Sequence, residues 1–186
     1  MRINSTHAHS DRGVDPYFTP IEGIRALMKI EALPKNIWEP AAGNGAIVNP
    51  LRDAGHNVLA SDIVDYGGVK GFVQRDFLTS SVKDRSIGIV TNPPYKLAAQ
   101  FLEHALSESD YVALLLRLNF LEGSKRKAMF EANPPARVWV SSRRLPMMHR
   151  LGWTGNQAPS NTCYAWFVWA QPNGKPQLNW FDWRQI

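Results

Sequence analysis

Cysteine is almost absent from these 186 residues: Cys163 stands alone, so no disulfide can form within the chain. That composition fits a reducing compartment, and a cytoplasmic protein is expected. No apolar stretch approaches the ~20 residues a bilayer-spanning helix requires, and the first residues lack a charged, then apolar, then small-residue leader, so no membrane association is expected. The five histidines show no paired spacing with cysteines or carboxylates, and His7-Ala8-His9 reads as part of a loose amino-terminal arm. A metal centre is therefore not indicated. The Gly-Lys-Ser/Thr ending of a phosphate-binding loop is missing, which leaves nucleoside triphosphate hydrolysis without sequence support. There is no internal repeat. What remains is ordinary for a globular protein, 44% hydrophobic and 20% charged, and the length is enough for one substantial core. One domain over residues 1–186 is expected, with no separate target-recognition domain and an oligomeric state the sequence leaves open. The net charge of +5 favours a polyanionic partner.

Two short motifs carry chemistry. The first is Asn92-Pro93-Pro94-Tyr95, directly after the apolar run Ile87-Gly-Ile-Val-Thr91. Each proline locks its own φ and restricts the residue before it, so a strand ends there in a rigid turn that displays the Asn side chain and the Tyr ring. Such a turn suits an amino group that is a poor nucleophile because its lone pair is delocalised. The Asn92 side-chain carbonyl and the Pro93 backbone carbonyl can accept its hydrogens while Tyr95 stacks on the attached π-system. The second motif is Trp38-Glu39-Pro40-Ala41-Ala42-Gly43-Asn44-Gly45-Ala46, read as strand, glycine turn, helix. Glycines let backbone approach a ligand closely, and an acidic residue at a strand end can bind a cationic or hydroxyl-bearing cofactor. The third small residue of a dinucleotide fingerprint is replaced by Val48, which disfavours a nicotinamide or flavin.

With both motifs in place the chain resembles the class I S-adenosylmethionine-dependent methyltransferases, in particular the amino-methylating group with an Asn/Asp-Pro-Pro-Tyr/Phe turn. The likeness is closest to phage-type adenine-specific DNA methyltransferases. It implies S-adenosylmethionine as cofactor, with Glu39, Pro40, Ala41, Gly43 and Gly45 around its methionine part. It further implies ribose contacts from Asp62, which closes Asn57-Val-Leu-Ala-Ser-Asp62. Asp76 and Phe77 would take the cofactor adenine, and Asn92 would touch both cofactor and target. Thr19, in Asp15-Pro16-Tyr17-Phe18-Thr19-Pro20, would lie against the methionine end, while Tyr17 and Phe18 either pack in the core or wall the pocket. The implied reaction is direct in-line transfer to the target amine, with Asn92, Pro93, Pro94 and Tyr95 as the catalytic turn and no covalent enzyme intermediate.

The fold expected from pattern and resemblance together is α/β: a mostly parallel seven-stranded Rossmann-like sheet with an antiparallel last strand. Strands are expected near 36–40, 57–61, 86–91, 111–117, 136–142 and 163–170, with a weak one near 71–75. Helices are expected at 20–32, 46–54, 96–107 and 123–132. Thr19-Pro20-Ile21-Glu22 reads as a capping box opening the first helix, whose apolar face is Ile21, Ile24, Leu27 and Met28. Pro50 inside the second helix should delay or kink it. Residues 141–162, rich in Gly, Pro, Ser and Asn, read as a long functional loop in which Arg143, Arg144, His149 and Arg150 offer phosphate contacts and Trp153 a stacking platform. Lys125-Arg126-Lys127 adds a basic cluster, and the tail Asn179-Trp-Phe-Asp-Trp183 packs either on the body or on a partner. DNA is the expected substrate. Ribosomal or other RNA, a protein glutamine, and a non-catalytic nucleic-acid-binding regulator remain as alternatives.

Overall fold

The computed structural model describes residues 19–147, 162–170 and 175–186. Tyr17, Phe18, His149, Arg150 and Trp153 lie outside the described residues. The elements run α1 (Ile21–Ile30), β1 (Asn36–Glu39), α2 (Val48–Asp53), β2 (Asn57–Asp62), β3 (Phe72–Gln74), β4 (Gly88–Thr91), α3 (Ala98–Glu108), β5 (Tyr111–Arg117), α4 (Ser124–Ala132), β6 (Arg137–Ser141), β7 (Tyr164–Ala170) and β8 (Gln177–Phe181). Short 3-10 turns occupy Phe77–Thr79, Tyr95–Leu97 and Leu118–Leu121.

All eight strands form one sheet in the order β3-β2-β1-β4-β5-β7-β6-β8. β3, β2, β1, β4 and β5 pair in parallel, β7 runs antiparallel to both β5 and β6, and β8 pairs parallel with β6. The expected antiparallel strand is thus β7, and the aromatic tail adds an eighth strand at the edge rather than a free packing segment. β8 is five residues long, with Leu178 and Trp180 exposed and Phe181 buried. So short an alternation in so polar a context carries little periodic signal.

Consecutive strand residues face opposite sides of the sheet, and each side has its own core. Ile89, Leu114 and Phe167 join Trp38, Phe101 and Leu102 on one side. Val90, Leu115 and Trp166 join Ile24, Leu27 and Phe181 on the other. The central strands β5 and β7 are buried along nearly their whole length, as a strand covered by helices on both faces must be.

Local chemistry explains where two helices depart from expectation. The capping box does not form. Pro20 is itself the residue flanking α1, with extended backbone (φ −67°, ψ 138°), and no side chain caps the helix start. Thr19 therefore sits one position too early for its hydroxyl to cap. Pro50 delays α2 rather than bending it: the helix starts at Val48, so Pro50 falls in the first turn, where a backbone N–H has no intrahelical partner to lose.

At the far end of α1, Glu31 fastens the helix to two strands. Its side chain is 5% exposed and accepts hydrogen bonds from Arg137 Nε and Nη2 (2.5 and 3.0 Å) and from Trp139 Nε1 (2.5 Å) on β6. The Tyr111 hydroxyl of β5 is 3.5 Å away. Burial, and then the Glu31 charge, push the Tyr111 hydroxyl well above its ordinary value. Deleting one partner of a buried ion pair leaves the other charge uncompensated, at roughly 3 kcal/mol or more. Arg137 keeps 29% exposure, which holds the expected loss for Glu31→Ala near the bottom of that range, about 3 kcal/mol. Urea titration of the variant checks it; a loss under about 1 kcal/mol would make Glu31 a surface ion pair in energetic terms.

Candidate functional site

Parallel pairing brings the carboxyl ends of β1, β2, β4 and β5 to one end of the sheet, and with them Glu39, Asp62, Thr91 and Arg117. Tyr164 joins them because β7 runs the other way: its first residue pairs with Arg117, the last of β5. The strand order reverses between β1 and β4, and at such a switch point the two adjacent connections leave in opposite directions and open a crevice.

Glu39 sits at that switch point and is completely buried. Its Oε1 accepts from the Ala41 N–H at 2.9 Å and from the Thr91 hydroxyl at 2.6 Å, while Oε2 is buried with no partner. Burial pushes its carboxyl up from the ordinary 4.5 to about 8; the Thr91 and Ala41 hydrogen bonds oppose the shift, and the Asp62 charge adds to it. Glu39 is therefore a neutral acid near pH 7 unless a cation reaches Oε2.

The turn after Glu39 is closed by backbone and by Asp62. Ala42 N–H donates to the Ser61 carbonyl (3.0 Å), Gly45 N–H to the Ala42 carbonyl (2.8 Å), and Gly43 N–H to Asp62 Oδ2 (3.0 Å). Asp62 Oδ1 accepts from Val64 N–H at 3.4 Å. Gly45 has φ +86°, and a Cβ there would lie 2.9 Å from Asn49 Nδ2 and from Val69 Cγ2. Conformation therefore favours glycine at position 45, and a Cβ there would also displace the Asn49 and Val69 side chains. Beneath the turn, the buried Trp38 Nε1 donates to Ser61 Oγ at 2.8 Å, tying β1 to β2.

On the other side of the switch point, Asn92 follows Thr91 immediately, and Pro94 leads into the 3-10 turn Tyr95–Leu97 with Leu97 N–H donating to the Pro94 carbonyl at 2.8 Å. Asn92 and Tyr95 are half-buried, Pro93 is buried and Pro94 exposed. The Tyr95 ring packs against Tyr164, with centroids 5.9 Å apart, and the Arg117 guanidinium lies over the ring at 4.6 Å. Burial raises the Tyr95 hydroxyl well above its ordinary value, Tyr164 adds to this, and the Arg117 charge opposes it.

The other residues expected at the site divide. Thr19 precedes α1 and is half-buried. Asp76 is exposed and caps its own 3-10 turn by accepting from Leu78 N–H at 3.0 Å. Phe77 is 1% exposed, with its ring boxed by Trp38 (5.0 Å), Phe101 (4.8 Å) and His104 (4.7 Å). It is therefore a core residue beneath Asp76 and no stacking platform. Arg143 is held by Asp182 through Nε and Nη2 at 2.9 and 3.0 Å, so its expected phosphate contact has a competitor within the chain. Arg144 lies next to it, and its carbonyl accepts from Trp183 Nε1 at 3.3 Å. The start of the long segment after β6 is anchored by Leu145 and Met147, both in the core, rather than solvated. In the other basic cluster, Arg126 Nε donates to the Glu122 carbonyl at 2.6 Å and Lys127 pairs with Glu131 at 2.9 Å. Thr91, Arg117 and Tyr164 went unnoticed in the sequence. Only the place of Thr91, at a strand end immediately before Asn92, could have signalled one of them.

Among the described residues, no group of three or more His, Cys, Asp or Glu could hold a metal ion, and no helix is long and apolar enough to cross a membrane.

No family model matches this chain, and no curated protein matches it by sequence. Solved structures do match in fold. One is a proposed RNA methyltransferase from Pyrococcus horikoshii, with TM-score 0.56, 12% identity, and 80% of this chain covered against 79% of that one. Another is the modification subunit of a proposed type I restriction enzyme from Vibrio vulnificus, with TM-score 0.60, 15% identity, 90% of this chain and 46% of that one. A third is a proposed class I S-adenosylmethionine-dependent methyltransferase from Listeria monocytogenes, with TM-score 0.57, 14% identity, 89% of this chain and 65% of that one. The chain thus spans less than half of the restriction subunit. At these identities the likeness is one of fold: the architecture is the class I methyltransferase fold.

Glu39 also sets a pH dependence. Between about 4.5 and about 8 the folded protein keeps a proton on this carboxyl that the unfolded chain has lost. The folding stability tied to the group is therefore complete below about pH 4.5 and falls as pH rises toward 8, by at most ~1.4 kcal/mol per pH unit. Glu39→Gln keeps an acceptor for Ala41 and Thr91 and cannot ionise. Urea titrations of the unliganded proteins at about pH 5 and pH 8 should show the variant gaining on the wild type at the higher pH. A pH-independent difference would mean that Glu39 is ionised throughout.

Proposed function

We propose, with the class I methyltransferase fold as premise, that this chain is an S-adenosylmethionine-dependent methyltransferase of the exocyclic amino group of adenine, in DNA ahead of RNA. The observation that carries the reading is the hydrogen bond from Thr91 to Glu39. It joins the acidic end of the glycine turn to the residue directly before Asn92, so cofactor turn and target turn meet at one switch point. A buried, unpartnered carboxyl oxygen is costly to keep, and Glu39 Oε2 fits a ligand that brings a cation to it. S-adenosylmethionine is such a ligand, and when bound it supplies an electrophilic methyl group.

The chain's own residues do the rest. Glu39 takes the cofactor's positive end, Thr19 its carboxylate, and Pro40, Ala41, Gly43 and Gly45 shape the turn around it. Asp62 and Asp76 receive the ribose hydroxyls and the adenine amine, with Phe77 supporting Asp76 from the core. The Asn92 side-chain carbonyl and the Pro93 carbonyl accept the hydrogens of the target amine, orienting its lone pair toward the methyl group, and Pro94 fixes the turn that presents Tyr95. Positioning and desolvation supply the rate enhancement. In a duplex the target base has to leave the stack, at a few kcal/mol. Arg143, Arg144, His149, Arg150 and Trp153 remain the proposed contacts to the nucleic acid beyond the target. RNA is the second reading, favoured by the Pyrococcus neighbour named for RNA methylation.

Incubating the protein with tritiated S-adenosylmethionine and, in parallel, duplex DNA, single-stranded DNA, ribosomal RNA and a protein extract tests the ranking. Label is expected in adenine of DNA. Asn92→Ala should lower turnover on the order of 10²-fold while calorimetry shows cofactor affinity near wild type. Label in RNA alone would change the partner and keep the chemistry. Label in protein alone would promote a glutamine target, and an absence of both transfer and cofactor binding would end the enzyme reading.

A further inference from the structure

Arg117 is charged, exposed, and placed at the end of β5 beside the target turn, yet it forms no ion pair among the described residues. Three other arginines are matched by carboxylates: Arg85 by Asp110, Arg137 by Glu31 and Arg143 by Asp182. What holds Arg117 is the Tyr95 ring, 4.6 Å from its guanidinium carbon. Tyr95 packs with Tyr164 against the core on the α1 side of the sheet, and the exposed Arg117 lies over one face of its ring. That is the face on which a target ring would stack.

We propose that Arg117 is a specificity-determining residue that exchanges ligands when substrate arrives: its guanidinium covers the Tyr95 face in the free protein, yields that face to the target base, and takes a phosphate of the target strand. The assignment rests on the nucleic-acid reading above. Each part has a physical reason. An exposed guanidinium over a half-buried phenol ring is held weakly, and a stacked base is held more strongly by the same face. A planar guanidinium freed beside a bound nucleotide has a fork of donors that matches phosphate oxygens, and the β-strand carrying it is rigid. With no carboxylate partner among the described residues, Arg117 gives up only its ring contact when an anion approaches. A neutral amide target offers no such second ligand, so the device favours nucleic acid over a glutamine side chain.

The test compares wild type, Arg117→Ala and Arg117→Lys in methyl transfer to a short DNA duplex, to single-stranded DNA and to free adenosine, with the duplex assays repeated across a range of salt. For Arg117→Ala the rise in KM for DNA should exceed the rise for adenosine by about tenfold or more, the scale of one charge-assisted hydrogen bond. The dependence of log K on log salt should become shallower by about one unit, as loss of one phosphate contact requires. Arg117→Lys should restore the salt slope. Equal KM increases on DNA and adenosine with an unchanged slope would show that Arg117 only props the Tyr95 ring, and would overturn the assignment. Absence of transfer to any nucleic acid by the wild type would remove the proposed function and this assignment together. That result needs no variant and is therefore distinct from the first.

Discussion

The hydrogen bond between Thr91 and Glu39 is short, at 2.6 Å, wholly buried, and links residues 52 positions apart. It can form only if β1 and β4 lie side by side, in parallel and in this register. A carboxyl group taken out of water costs several kcal/mol unless it is neutralised and hydrogen-bonded. Any other strand order would bury Glu39 without Thr91, or expose the core that covers it. The same pairing makes the switch point, because β2 and β3 then lie to one side of β1 and β4 and β5 to the other. Crevice and keystone are one constraint. Glu39 remains incompletely satisfied, since Oε2 has no partner. Polar groups left wanting at the meeting point of a sheet are where folds concede stability to binding.

The reversed strand has a comparable consequence at the other side of the site. Were β7 parallel to β5, its first residue would lie at the amino end of the sheet, far from Tyr95. Running antiparallel, it brings Tyr164 opposite Arg117 and against the Tyr95 ring. The Asn-Pro-Pro-Tyr turn is thus braced on one flank by β1 through Thr91 and on the other by β5 and β7 through Arg117 and Tyr164. The braces come from three strands whose own positions are fixed by two cores, and the turn itself contributes only its proline stiffness.

Much of this was readable in the sequence, because it depends on local pattern. Apolar runs placed β1, β2, β4, β5, β6 and β7 within a residue or two at most ends, and Gly43 and Gly45 marked the turn. The unreadable parts share a different origin. The resemblance puts Phe77 on the cofactor adenine because Asp76-Phe77 matches an acidic-aromatic pair, yet its burial is decided by Trp38 of β1 and by Phe101 and His104 of α3. Leu145 and Met147 looked like loop residues among arginines and a proline, and only the α1 face of the sheet makes them core. Thr19 scored as a cap on residue type, and the proline beside it shifted the helix start by one position. Spacing locates a side chain along its own element; it says nothing of what the neighbouring element brings to meet it.

Charge shows the same limit in a form that bears on function. The excess of five positive charges suggested a basic surface, yet Arg85, Arg137 and Arg143 are each matched by a carboxylate, and Arg126 is turned back on its own helix start. Net charge therefore overstates what a polyanion would meet on those faces. Around the glycine turn and the Asn-Pro-Pro-Tyr turn the balance differs in kind. Glu39 is neutral near pH 7, and the Asp62 charge is partly met by the Gly43 and Val64 amides. Arg117 meets a π face and, among the described residues, no carboxylate. An exposed cation that breaks no ion pair to meet an anion steers a polyanion more effectively than arginines already matched by carboxylates. An acid that is silent near pH 7 and an arginine that meets a ring rather than a carboxylate set the charge around the two turns, and neither follows from counting residues.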